Sequence, residues 1–304
     1  MLKVTLDLFS GRPNPSWVLE EAEAQAILKE INNNRGIVTE VGSGYQGLGY
    51  RGITLELLSD DVSETDSLPT TFQIANGASL YESKGLEVAE RLITGMSNSE
   101  LRVSELGSFF DFDETLRRQL LDHLGTFPRI ESQGELDTSG AVNDEEAIAQ
   151  AVCYIERGAF NPNFWNDPAH IRRNNCYNYA ANRRTDTFAQ PGRATGNYPY
   201  PMDCASVTAA ALSDGAHKRY HCLPDTEKPR YLIAMVVAPG VDYHWYRSHK
   251  EGFWGHKPGG TSAKNVDNSG RLITNPQTCD RTSGFPSYTQ FCGYFYRPKS
   301  IKVN

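Results

Sequence analysis

Arg173-Asn174-Asn175-Cys176-Tyr177-Asn178-Tyr179-Ala180-Ala181-Asn182 puts a cysteine at the head of a predicted helix, behind two asparagines able to cap it. Further on, Asp242-Tyr243-His244-Trp245-Tyr246-Arg247 reads as a short aromatic strand with a histidine inside it. Together the two segments predict a helix packed on an antiparallel sheet. A helix N-terminus lowers the pKa of a thiol placed on it, and an adjacent imidazolium lowers it further. Such a thiolate attacks a carbonyl, and the imidazole returns the proton to the leaving group. Cys176 and His244 are therefore the candidate nucleophile and general base.

The sequence around this pair extends the same plan. Strands are predicted over 231–238, 243–247 and 253–257, with Lys250-Glu251-Gly252 as a hairpin tip, and Tyr294-Phe295-Tyr296 as a late strand. A helix over 203–212 precedes them, and another is expected over 144–157. If 243–247 and 253–257 pair, His256 can face His244 across the ladder and hold its ring in one tautomer. Asp267 is the rival orienting residue, acting by charge, and a turn aspartate is its plain alternative. Asn174, Asn175 or Asn178, with the amide of Cys176, can supply an oxyanion hole. Trp245 and Trp254 would line a cleft. Cys204, behind Asp203, also begins a helix and is the rival nucleophile, although Ala209, Ala210 and Ala211 favour tight packing there. The plain alternatives are a buried core thiol for Cys176 and a satisfied core histidine for His244.

Residues 1–140 read as a separate, small α+β unit. Its first residues alternate like a strand, and a Gly/Pro/Asn turn at 10–16 follows. Ser16 is then expected to cap a helix over 17–31. A strand at 53–58 is expected to pair with the first, and helices fit 85–94 and 113–124. The unit holds 11 Lys/Arg against 23 Asp/Glu, a balance of −12, whereas residues 141–304 carry +5. That split suggests two units with different roles, the acidic one serving as a recognition or lid domain, or as a surface for a protein partner. The polar segment 130–144 reads as a linker, with the boundary near 140. The whole is classed α+β.

The net charge of −7 argues against a general nucleic-acid binder. No apolar run has spanning length, and the first residues lack the regions of a secretory signal, so the chain is expected to be cytoplasmic or exported by a route the sequence does not reveal. All six cysteines fall in the second half. None is spaced as C-x-x-C, so no metal centre and no cofactor are expected, His217, His221 and Cys222 forming only a loose cluster. An even number allows disulfides, although a chain this long does not require them.

Helix cysteine, sheet histidine and a further polar residue on the next strand follow the order of papain-like thiol hydrolases. With His256 as third member, the segments Asn175-Cys176-Tyr177-Asn178-Tyr179 and Tyr243-His244-Trp245…Trp254-Gly255-His256 resemble the Cys-His-His arrangement of NlpC-type peptidases over about residues 144–304. Their Asp-Cys-Ser-Gly signature is absent at Cys176, and only its Asp-Cys part occurs, at Asp203-Cys204. The resemblance implies hydrolysis of a peptide or other amide bond, or acyl transfer to an amine, without a metal. Readings from other classes are a catalytically inactive peptide- or carbohydrate-binding protein on the same fold, and an extracellular structural protein with disulfides.

Overall fold

The computed structural model describes residues 1–58, 68–78, 82–96, 112–125, 153–218 and 222–304. The expected linker and the boundary near 140 lie outside these residues. The architecture is α+β, built on two antiparallel sheets.

The first sheet has the order β2-β1-β3-β4, with β1 Leu2–Leu6, β2 Ser16–Leu19, β3 Ile53–Leu57 and β4 Thr71–Ile74. Strand β1 pairs with β3 from Leu2↔Leu57 to Leu6↔Ile53, the partnership expected from the alternation. Leu2, Val4 and Leu6 point into the core, while Lys3 and Thr5 point the other way. The expected helix over 17–31 is corrected at its start. Ser16 is a strand residue rather than a cap, because Trp17 and Leu19 alternate inward against β1. Helix α1, Glu21–Asn33, begins after them and buries Ala24, Ile27, Leu28 and Ile31 at helical spacing. Helices α2, Glu82–Gly95, and α3, Glu114–Gly125, add Val88, Ala89, Leu92, Ile93, Leu116, Leu120 and Leu124 to the same core. Each large aliphatic side chain buried this way is worth about 1.5–3 kcal/mol relative to exposure.

The second unit opens differently from expectation. Residues Cys153–Arg157 are irregular, so the part of the 144–157 helix that falls on described residues is not formed. Short helices α4, Pro162–Trp165, and α5, Cys176–Ala180, lead to α6, Cys204–Ser213. The second sheet has the order β5-β9-β6-β7-β8, with β5 His217–Lys218, β6 Tyr231–Ala238, β7 Asp242–Ser248, β8 Trp254–His256 and β9 Gln290–Arg297. Its central strands are buried on both faces. One face, with Ile233, Met235, Val237, Tyr243 and Trp245, packs under α5 and α6. The other, with Ala234, Val236, Ala238 and Tyr246, packs on Ile273, Tyr288 and Leu48, the last from the first unit.

Two disulfides lace this second unit. Cys153 joins Cys222, and Cys204 joins Cys292, with Cα separations of 5.1 and 5.2 Å. They close loops of 69 and 88 residues. In the chain-entropy account, a loop of that size is worth more than about 4 kcal/mol.

Candidate functional site

The turn Ser10-Gly11-Arg12 of the first unit enters the second and wraps the carboxylate of Asp242. The Ser10 amide donates to Asp242 Oδ2 at 2.6 Å, the Gly11 amide at 3.2 Å, and the Arg12 amide to Oδ1 at 3.0 Å. The Tyr288 hydroxyl donates to Oδ2 at 2.6 Å. A buried carboxylate persists only when so compensated, because an unpaired one carries a large desolvation cost. Glycine is required at 11 because a Cβ there would stand 2.5 Å from Cε2 and 2.6 Å from the carbonyl oxygen of Tyr243.

The histidines continue this network. His256 Nε2 lies 2.9 Å from the Val266 carbonyl, which only accepts, so that nitrogen carries the proton. His256 Nδ1 then accepts from His244 Nε2 at 2.8 Å, and His244 Nδ1 accepts from the Ser10 hydroxyl at 3.1 Å. One directional chain runs from Ser10 through both rings to Val266. Tyr246, not His244, is directly opposite His256 in the ladder, and His244 reaches it diagonally from the same face. Burial is the first cause that holds His244 well below the usual histidine range, with His256 the second. His256 falls to about 3, through burial and then the Lys264 charge. Both rings are neutral, with their tautomers set by their neighbours.

Cys176 does not join them. Strand side chains alternate, and Cys176 packs on the face carrying Tyr243 and Trp245, whereas His244 points to the opposite face. Both nitrogens of His244 are occupied by Ser10 and His256. Helix α5 has five residues, too short for an appreciable macrodipole, and its leading amides are spent: those of Tyr177 and Asn178 both donate to Asn175 Oδ1. The thiol is fully buried and its pKa is pushed well up, first by desolvation and then by the Asp242 charge. The expected activated thiolate is thereby corrected to an inert core thiol.

The other candidates also have structural positions. Cys204 is bonded to Cys292 and offers no thiolate. Asp267 accepts the amides of Ser269, Arg271 and Asp280 and so organises a turn, while His256 turns to Val266 instead. Asn174 ties His170 to Asp186 and accepts the amides of Thr185 and Asp186. Asn175 donates to the carbonyls of Gly11 and Ala189. Asn178 accepts the amides of Asn175 and Ala189 and donates to Arg183 and Thr185. None of the three is left with its amide group turned to a substrate. Trp245 is buried between Tyr177 and Phe295, and Trp254 packs on Tyr294, so they build core rather than cleft.

Sequence reasoning missed Ser10, Asp242 and Lys257. The Lys257 ammonium is buried and donates to the carbonyls of Ile171 at 2.6 Å, Asn174 at 2.5 Å and Gly259 at 2.8 Å. Two of these bonds clamp the segment leading into α5 and the third holds its own loop, and burial draws its pKa well down. Among the described residues, no group of three or more His, Cys, Asp or Glu side chains is placed to hold a metal ion, and no helix is long and apolar enough to cross a membrane.

No family model and no solved structure matches the chain. Over 145 residues it is 44% identical to insoluble matrix shell protein 1 of Ruditapes philippinarum, a span covering 48% of this chain and 93% of that protein. That relative is named as a component of an insoluble shell matrix and not as a peptidase. The expectation of a thiol peptidase or amidase is corrected on this finding, together with the description of the chain as a hydrolase or cysteine protease.

Proposed function

Because the chain belongs to the family of insoluble matrix shell protein 1, we propose that it is a structural protein of an insoluble extracellular matrix. The observation that carries this reading is 44% identity extending over 93% of that relative. Two features of the chain support it. Four of its six cysteines are paired in disulfides, the chemistry of an oxidising compartment. Its polar residues of highest interest, Asp242, His244, His256 and Lys257, are spent on one another and on backbone groups, which rigidifies a fold rather than activating a nucleophile.

Fractionation of tissue from the source organism tests the proposal. Extracellular material would be extracted with aqueous buffer and then with chelator, and the residue dissolved in detergent with reductant. An antibody to this chain is expected to detect it chiefly in the residue. Detection confined to the intracellular or buffer-soluble fractions would contradict the assignment.

A further inference from the structure

A cleft of about 540 Å³ separates the two units, within the range of about 300–1,000 Å³ usual for small-ligand sites. Its floor is the face of the first sheet turned away from the core. Lys3 and Thr5 on β1 and Ser16 on β2 project there, with Thr5 paired directly opposite Ser16. The second unit supplies the other wall through Arg172, Phe188, Thr261 and Ser262.

The charges in this cleft do not cancel. Asp7 is the carboxylate that lines it, and its oxygens already accept from Asn14, Thr54 and Gln73. Lys3 is paired with Glu56 at 3.4 Å. Arg51 is buried and donates to the carbonyls of Leu8, Phe9 and Gly49, which leaves its positive charge without a carboxylate and its Nε without a partner. Arg172 is exposed and has no carboxylate partner among the described residues. Behind the lining, the buried Lys264 amine has no hydrogen-bond partner, and burial and then the Arg51 charge draw its pKa down to about 7, so that it carries only part of a positive charge at neutral pH.

Phe188 is the second unusual feature. It stands at φ 51°, a left-handed conformation that a bulky side chain rarely adopts, and its backbone N–H donates a hydrogen bond to the Arg173 carbonyl at 2.7 Å that holds it there. The strained turn brings an aromatic ring to the wall that carries Arg172.

From this lining we infer that the cleft binds an acidic oligosaccharide. The hydroxyls of Thr5, Ser16 and Ser262, each able to donate and accept, match the alternating donors and acceptors of sugar hydroxyls. The ring of Phe188 offers an apolar face for a pyranose. The Arg172 guanidinium is the fork that takes a carboxylate or sulfate in a bidentate manner. Binding here is independent of matrix membership: a failed titration leaves the fractionation result standing, and the reverse holds.

Calorimetric titration of the full chain with tetragalacturonate, its methyl ester and tetraglutamate tests the inference. Saturable binding of tetragalacturonate is expected, with the neutral ester at least tenfold weaker. Arg172→Ala, on an exposed side chain, is expected to weaken the acidic sugar about tenfold while circular dichroism stays unchanged. Phe188→Gly should relieve the backbone strain and raise the melting temperature, yet weaken binding. Lys250→Ala, on the remote hairpin tip, should change nothing. Absence of saturable binding, binding that survives Arg172→Ala, or equal affinity for tetraglutamate would overturn the inference.

Discussion

The amide of Ser10 donates to the carboxylate of Asp242 at 2.6 Å across 232 residues of chain, and with the neighbouring amides of Gly11 and Arg12 it fastens the first unit into the interior of the second. The two units are therefore energetically joined at a buried charge. Gly11→Ala forces a Cβ against the Tyr243 ring and carbonyl and should cost about 1–3 kcal/mol, as overpacking does. Differential scanning calorimetry is expected to show one transition moved to lower temperature. Two separate transitions, with only one moved, would show that the units unfold independently.

The neutral histidine pair makes stability depend on pH in a definite direction. His256 titrates near 3 in the folded chain and near 6.5 when unfolded. Between those values the unfolded state binds the extra proton, so stability should fall as pH drops below about 6.5, by up to about 1.4 kcal/mol for each pH unit. Urea denaturation between about pH 6.5 and 4.5, above the carboxylate range, measures this slope. His256→Gln should lower stability at pH 7 and reduce the slope by up to about 1.4 kcal/mol for each pH unit, the part due to His244 and His249 remaining. An unchanged slope in the variant would place the titrating group elsewhere.

The disulfides should be separable contributors. Cys204→Ser with Cys292→Ser is expected to lower stability by about 4.6 kcal/mol, the loop-entropy value for its 88-residue separation. Peptide mapping without reductant should yield Cys153 linked to Cys222 and Cys204 linked to Cys292. Recovery of a peptide joining Cys176 to any partner would contradict the fold.

Much of the architecture was legible in local spacing. The period-2 alternation of residues 2–6 and 53–57 marks two paired strands, and the apolar positions of 85–94 and 113–124 mark helices. The meeting of His244 with His256 followed from the hairpin between them. The same alternation held the clue that undid the nucleophile: Tyr243 and Trp245 are the bulky apolar partners for α5, so His244 between them must point to the other face. Nothing local announced the Asp242 cradle. Backbone amides supply it, and any residue type but proline carries an amide N–H, so the turn at 10–12 reads only as a turn. Disulfide pairing was equally hidden, since six cysteines fix no connectivity.

Alkylation of the native chain tests most directly whether Cys176 is a structural thiol. The protein would be treated with iodoacetamide at about pH 7, then quenched, unfolded, labelled with a heavier reagent and mapped by mass spectrometry. Cys176, buried and with its pKa driven up by desolvation, is expected to take only the second label, and the four bridged cysteines neither. Rapid modification of Cys176 by the first label, still present at pH 6, would reveal an accessible thiolate and contradict its place as a core thiol.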